Sequence, residues 1–280
     1  MKRLLSLTLA FLLAISMSFV VFANEPIVQI YDLDKSSDLN SFAEQKDLLA
    51  EKYYREKTSG NYTEAAQTLK SLNQLYAASG IVAFSKSATA SESSTRAFTN
   101  ILSGVTFYRQ EEYYYCGPAT AYIILKRCGV PNITQDSLAD ELETSSARGT
   151  PFTSHKMEEV LNDRNTYTGI NYIATSKGSR ETMTDFTSRF KSAVVLNTDN
   201  NDMMAMDGLS RYGAAGYMSN YPTNEDIYHW LGICGYNYNG DDFYLVDPAS
   251  GRQGFTNVPQ KYFVTATKAA AFASANGYLY

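Results

Sequence analysis

Gln110-Glu-Glu-Tyr-Tyr-Tyr-Cys116-Gly-Pro-Ala-Thr120 is the stretch on which the reading of the fold turns. A proline in the first turn of a helix loses no intrahelical hydrogen bond, so Gly117-Pro118 marks a helix start. Ala119 to Leu125 supplies the body of that helix. Lys126-Arg127 places positive charge in the last turn, Gly129 suits the residue after the cap, and Pro131 forbids continuation. A cysteine therefore stands at the mouth of the best-marked helix, with Gln110 six residues upstream. The unpaired N–H groups and the dipole at a helix N-terminus favour a thiolate, the nucleophilic form of a thiol. Read alone, Cys116 favours the reading of a small buried apolar residue, the usual fate of an unbridged cysteine.

A thiol catalyst needs a base, and the chain holds only two histidines, His155 and His229. His155 falls in the first turn of a helix after Thr150-Pro151, where the positive dipole end discourages an imidazolium. His229 opens the run Tyr228-His-Trp-Leu-Gly-Ile-Cys-Gly-Tyr236, which pairs through a turn containing Asn239-Gly240 with Phe243-Tyr-Leu-Val-Asp247-Pro248. A carboxylate at Asp247 would orient the ring and stabilise its charged form. Parity decides whether it can: side chains alternate faces, so Asp247 shares the face of His229 only if it lies opposite Leu231. A three-residue loop, Tyr238-Asn239-Gly240 with Gly240 left-handed, achieves this. A plain two-residue loop does not. Gln110 is the candidate oxyanion donor, its amide converging with the Cys116 backbone N–H.

The three cysteines do not make a disulfide scaffold. Cys128 lies about 120° around the helix from Cys116 at about 100° per residue, and Cys234 points to the strand face opposite His229, so no bridge is expected. Two histidines and three scattered cysteines offer no zinc spacing, and Asp199, Asn201 and Asp202 lack the pattern of a calcium loop. No cofactor is expected.

Upstream, the chain opens with Lys2-Arg3, an apolar run from Leu4 to Phe22, and Val21-Phe22-Ala23, the pattern of a signal peptide cleaved after about Ala23. The alternative is an uncleaved membrane anchor. Cleavage leaves 257 of the 280 residues and, with Lys2 and Arg3 gone, takes the net charge from −5 to −7. With no dense basic block, nucleic acid and anionic membranes are poor partners. The 22 tyrosines suit a groove for extended peptide or glycan but do not locate one.

Residues 24–34 read as extended. Helices follow from Ser36-Ser37-Asp38 to about Lys57 and from about Thr63 to Ala78, joined at Ser59-Gly60 as an αα-hairpin. Residues 85–97 read as a linker, so 24–84 is a pro-region or an accessory domain and 98–280 a catalytic one. Within 98–280, Val105–Tyr108 reads as a strand, Thr134 caps a helix through Leu142, and Met157, Val160 and Leu161 face inward from another helix. Tyr167–Ala174 reads as a strand, Thr182–Lys191 as a short helix and Ala193–Leu196 as a buried strand. Residues 197–225 read as a long surface loop, a candidate lid. A last strand and a short helix close the chain.

Gln110, Tyr115-Cys116-Gly117-Pro118-Ala119, Gly149-Thr150, His229-Trp-Leu-Gly232 and Asp247-Pro248 together resemble the bacteriocin-processing, double-glycine-leader peptidase family and its secreted relatives. The resemblance spans about residues 105–250. It implies an α+β, papain-like fold with Cys116 as nucleophile, His229 as base, Asp247 as orienter and Gln110 as oxyanion donor. The transporter-linked members carry transmembrane and ATP-binding regions that these 280 residues lack, so cleavage of double-glycine leaders is not carried over. The expectation is a secreted cysteine peptidase acting on peptide or protein, with no stable membrane insertion after signal cleavage, and made as a zymogen where 24–84 is a pro-region. The competing readings are an acyltransferase using the same thiol and a non-catalytic binding module of the same fold.

Overall fold

A computed structural model describes residues 39–80 and 98–280. The expected leader, the expected extended segment after it and the expected 85–97 linker lie outside the described residues. The chain is α+β: among the described residues, seven antiparallel strands form one sheet flanked by helices. Two helices come first, α1 (Leu39–Thr58) and α2 (Tyr62–Ala78), turning at Gly60 with φ +79° as the Ser59-Gly60 break predicts. After β1 (Asn100–Ile101) comes α3 (Cys116–Arg127), which ends at Gly129 with φ +77°. Then come α4 (Gln135–Glu141), with a capping box at Thr134, and α5 (Lys156–Asn162), which buries Met157, Val160 and Leu161.

Four expected elements differ. Tyr167–Ala174 is not a strand: residues Asn165–Thr168 form the short helix α6, and only β2 (Ala174–Thr175) joins the sheet. Asn162 substitutes for a neighbouring strand there, accepting from the Tyr172 N–H at 2.7 Å and donating to its carbonyl at 2.9 Å. Val105–Tyr108 makes no ladder either. Ala193–Leu196 belongs to one long helix, α7 (Met183–Asp199), in which Ser192 to Thr198 are all buried. A helix buried on every side shows no amphipathic period, so its apolar run looks like a strand.

The presumed loop at 197–225 holds the tail of α7 and a central strand, β3 (Met204–Ser210), leaving 211–226 as the connection. Next come β4 (Ile227–Asn237), β5 (Asp242–Val246), β6 (Lys261–Thr265), the helix α8 (Ala266–Ala273) and β7 (Gly277–Leu279). The strand order is β2-β7-β3-β4-β5-β6, with β1 paired to the far end of β4. Phe190 of α7 stacks on Tyr278 at 4.0 Å and meets Phe243 edge-on at 5.0 Å, seating that helix on the sheet.

The hairpin α1–α2 shares this core. The Asp199 carboxylate at the end of α7 accepts from Tyr53, Asn100 and Tyr236, each at 2.8 Å, and from Lys57. Lys46, fully buried, donates to the Asn171 carbonyl at 3.1 Å beneath the Tyr280 ring. Among the described residues no helix is long and apolar enough to cross a membrane.

Candidate active site

Cys116 is the first residue of α3, where Tyr115 at the cap offers no side-chain acceptor. The first N–H groups of a helix have no intrahelical partner, so those of Cys116 and Gly117 are directed out of its mouth. Gly117 is required there for space: a Cβ would stand 2.2 Å from Thr150 Oγ1. Thr150 is fixed in turn, its carbonyl accepting from the Trp230 indole at 2.8 Å and its hydroxyl bonding Thr144 at 2.6 Å. The Cys-Gly and Gly-Thr motifs are thus two sides of one close contact.

Trp230 and its neighbour His229 point to opposite faces of β4, as a strand demands. Trp230 stacks on Phe152, while His229 faces Asp247 and Cys116. The His229 Nε2–H donates to Asp247 Oδ1 at 2.9 Å, and the Cys116 thiol lies near enough to the ring to favour its charged form. Exposure is 8% at Cys116, 3% at His229 and nil at Asp247. Burial alone would lower the imidazole, but the Asp247 charge and hydrogen bond, with the contacts to Cys116, outweigh it and push His229 up to about 10. Phe255 stacks over the ring at 6.2 Å and Tyr221 meets it edge-on at 5.7 Å.

Asp247 reaches this face by a route other than the expected one. The β4–β5 loop has four residues, not three: Asn237 pairs with Asp242, and Tyr238, Asn239 and Gly240 all have positive φ, Gly240 at +85°. An even loop alone would send Asp247 to the wrong face. The register then shifts between Ile233 and Gly235, where Cys234 is an extra residue in β4, so Ile233 pairs with Leu245 and Gly232 with Val246. One step further, Asp247 lies opposite Leu231, a diagonal neighbour of His229.

Gln110 is buried beside this site, its N–H donating to the Pro248 carbonyl at 2.9 Å. Both amide hydrogens are committed, to the carbonyls of Glu112 at 3.1 Å and Tyr113 at 2.9 Å, and the amide oxygen Oε1 is buried without a partner. His155 lies away from the site, more than half exposed and paired with Glu158. Cys116, Cys128 and Cys234 are not bridged to one another. Burial pushes the Cys234 thiol up to about 12. Among the described residues no group of three His, Cys, Asp or Glu side chains could hold a metal.

Sequence reasoning missed four neighbours. Tyr221 and Tyr262 donate to Asp247 Oδ2 at 2.6 and 2.9 Å, and Phe255 covers His229. Asp207 of β3 is buried, and that burial pushes it up to about 7 against the Asn276 amide, the His229 charge and the Gly208 N–H. None carries a motif, and Tyr221 lies in a segment with no period.

The model of the Peptidase_C39 like family matches residues 102–273. A comparison with curated proteins finds no match.

Proposed function

The chain belongs to the peptidase C39-like family, and from that premise we propose that it is a cysteine peptidase with Cys116 as nucleophile, His229 as acid and base, and Asp247 as orienter. The observation that carries this is the single imidazole held by Asp247 at 2.9 Å and facing the Cys116 thiol at a helix mouth, which adds to the upward push on the ring. The Cys116 thiolate attacks the scissile carbonyl while His229 is imidazolium. Negative charge developing on the oxygen is met by the outward N–H of Cys116. His229 then gives its proton to the leaving amine, and the neutral ring takes a proton from water, whose oxygen releases the acyl group.

Gln110 is the second oxyanion donor in this scheme. To serve, its amide must exchange or share one of the carbonyls it now holds, at Glu112 or Tyr113.

The leader at residues 1–23 supports a secreted enzyme. For residues 39–80 the packing supports a permanent accessory part over a removable pro-region. Its polar contacts include Asp199, Asn200, Asn171, Tyr236 and Tyr280, none of them a residue of the site.

Thiol labelling tests the triad. Cys116 is expected to alkylate far faster than Cys128 and Cys234 at pH 6, and His229→Ala to abolish the difference. Equally slow labelling of all three would instead point to a binding module.

A further inference from the structure

Asp247 is the most heavily bonded side chain near the thiol. An ionised carboxylate accepts only, at about four lone-pair sites, and four donors converge on this one. His229 Nε2 and the Ala249 N–H, at 2.9 and 3.0 Å, take Oδ1, while the hydroxyls of Tyr221 and Tyr262, at 2.6 and 2.9 Å, take Oδ2. The carboxylate is fully buried, so no water can replace a lost donor cheaply.

The two phenols come from separate parts of the chain, Tyr221 from the 211–226 connection and Tyr262 from β6. Burial first, and then the nearby Asp247 charge, raise both well above the ordinary tyrosine value. They therefore stay protonated donors throughout the range in which a thiol peptidase works. Turning the carboxylate about its Cβ–Cγ bond would break both phenol bonds together, so the pair also locks Oδ1 onto the imidazole. The titratable groups packed around this cluster are His229, Cys116 and the buried Asp207.

We propose that Tyr221 and Tyr262 are positioning residues of the proposed triad, a phenol pair that keeps Asp247 charged and aimed so that His229 can remain imidazolium beside Cys116. The inference rests on the peptidase reading above. Without the pair, the buried Asp247 keeps only two of its four donors and is free to turn, the pull on His229 weakens, and Cys116 reacts more slowly at low pH.

The test is the pH dependence of Cys116 alkylation by iodoacetamide, followed by mass spectrometry of the labelled peptide, in Tyr221→Phe, Tyr262→Phe and the double variant. Phenylalanine keeps the ring contacts and removes only the hydroxyls, and Trp230 fluorescence checks folding. At pH 6 the double variant is expected to label at least about tenfold more slowly than the parent, as charge-assisted bonds are lost. The rate should recover above pH 8, with the single variants between. A double-variant profile that superimposes on the parent's, or a loss equal at every pH, overturns the positioning role. If the parent itself labels no faster than His229→Ala, the failure lies with the triad, and the inference falls with it.

Discussion

The displacement of His229 from 6.5 to about 10 makes a stability prediction that needs no substrate. A group whose value is raised on folding contributes stability that is complete below its unfolded value and lost as pH climbs through its folded one. The window here opens at 6.5 and closes near 10. At about 1.4 kcal/mol per pH unit, the whole displacement corresponds to a ceiling of about 5 kcal/mol. A Cys116→Ala background removes the thiol's own titration together with its smaller share of the imidazolium's stabilisation. The larger upward causes, the charge and hydrogen bond of Asp247, remain. Urea unfolding of Cys116→Ala, with and without His229→Gln, should be followed from pH 6.5 to 9.5. The difference between the two proteins should shrink with pH by a few kcal/mol in favour of the glutamine variant, provided that both also carry Asp207→Asn, because Asp207 titrates in the same window and feels the His229 charge. Parallel curves across that range would mean that His229 is already neutral, and the ion-pair account of the site would fail.

Asp207 should behave with the opposite chemistry. Its value is raised from 3.8 to about 7, so its protonated form stabilises the fold and its ionisation costs stability as pH rises through that span. Asp207→Asn is expected to match the parent at pH 4 and to be more stable at pH 8 by at most about 4 kcal/mol in urea melts. The Asp199 network binds α1 to α7, and Asp199→Asn leaves the mostly buried Lys57 ammonium without its counter-charge. A loss of about 3–5 kcal/mol is expected, while a protease cut within 85–97 should leave residues 39–80 bound on gel filtration and the activity unchanged.

How much could be read without coordinates depended on whether an element announces its own period. The hairpin α1–α2 and the α3 boundaries were legible because caps, glycine stops and one-sided apolar stripes are local signals. The helix α7 was cut in two because Ser192 to Thr198 meet protein on every side. β3 was missed altogether. Met204-Ala-Met-Asp-Gly208 contains no β-branched or aromatic residue, and the strand exists because β4 and β7 flank it. Tyr221 was invisible for the same kind of reason, since only the fold brings it to Asp247.

The β4–β5 hairpin shows what a sequence argument about a site can and cannot fix. Parity required Asp247 to lie opposite Leu231 if it is to meet His229, and the register puts it there. The means were not determined by parity, because an odd loop and an even loop with one bulge are equivalent in which face they expose. The chain uses the second, with four loop residues and an extra one at Cys234. Cys234 is a buried, unbridged thiol. Its Sγ–H donates to the Tyr244 carbonyl at 3.4 Å, yet its larger consequence is the residue it adds to the strand. A bulge also increases the local twist, which a three-residue loop would not have done at that point. The alignment of the imidazole with its carboxylate therefore depends on a residue five positions from His229 that touches neither partner through its side chain.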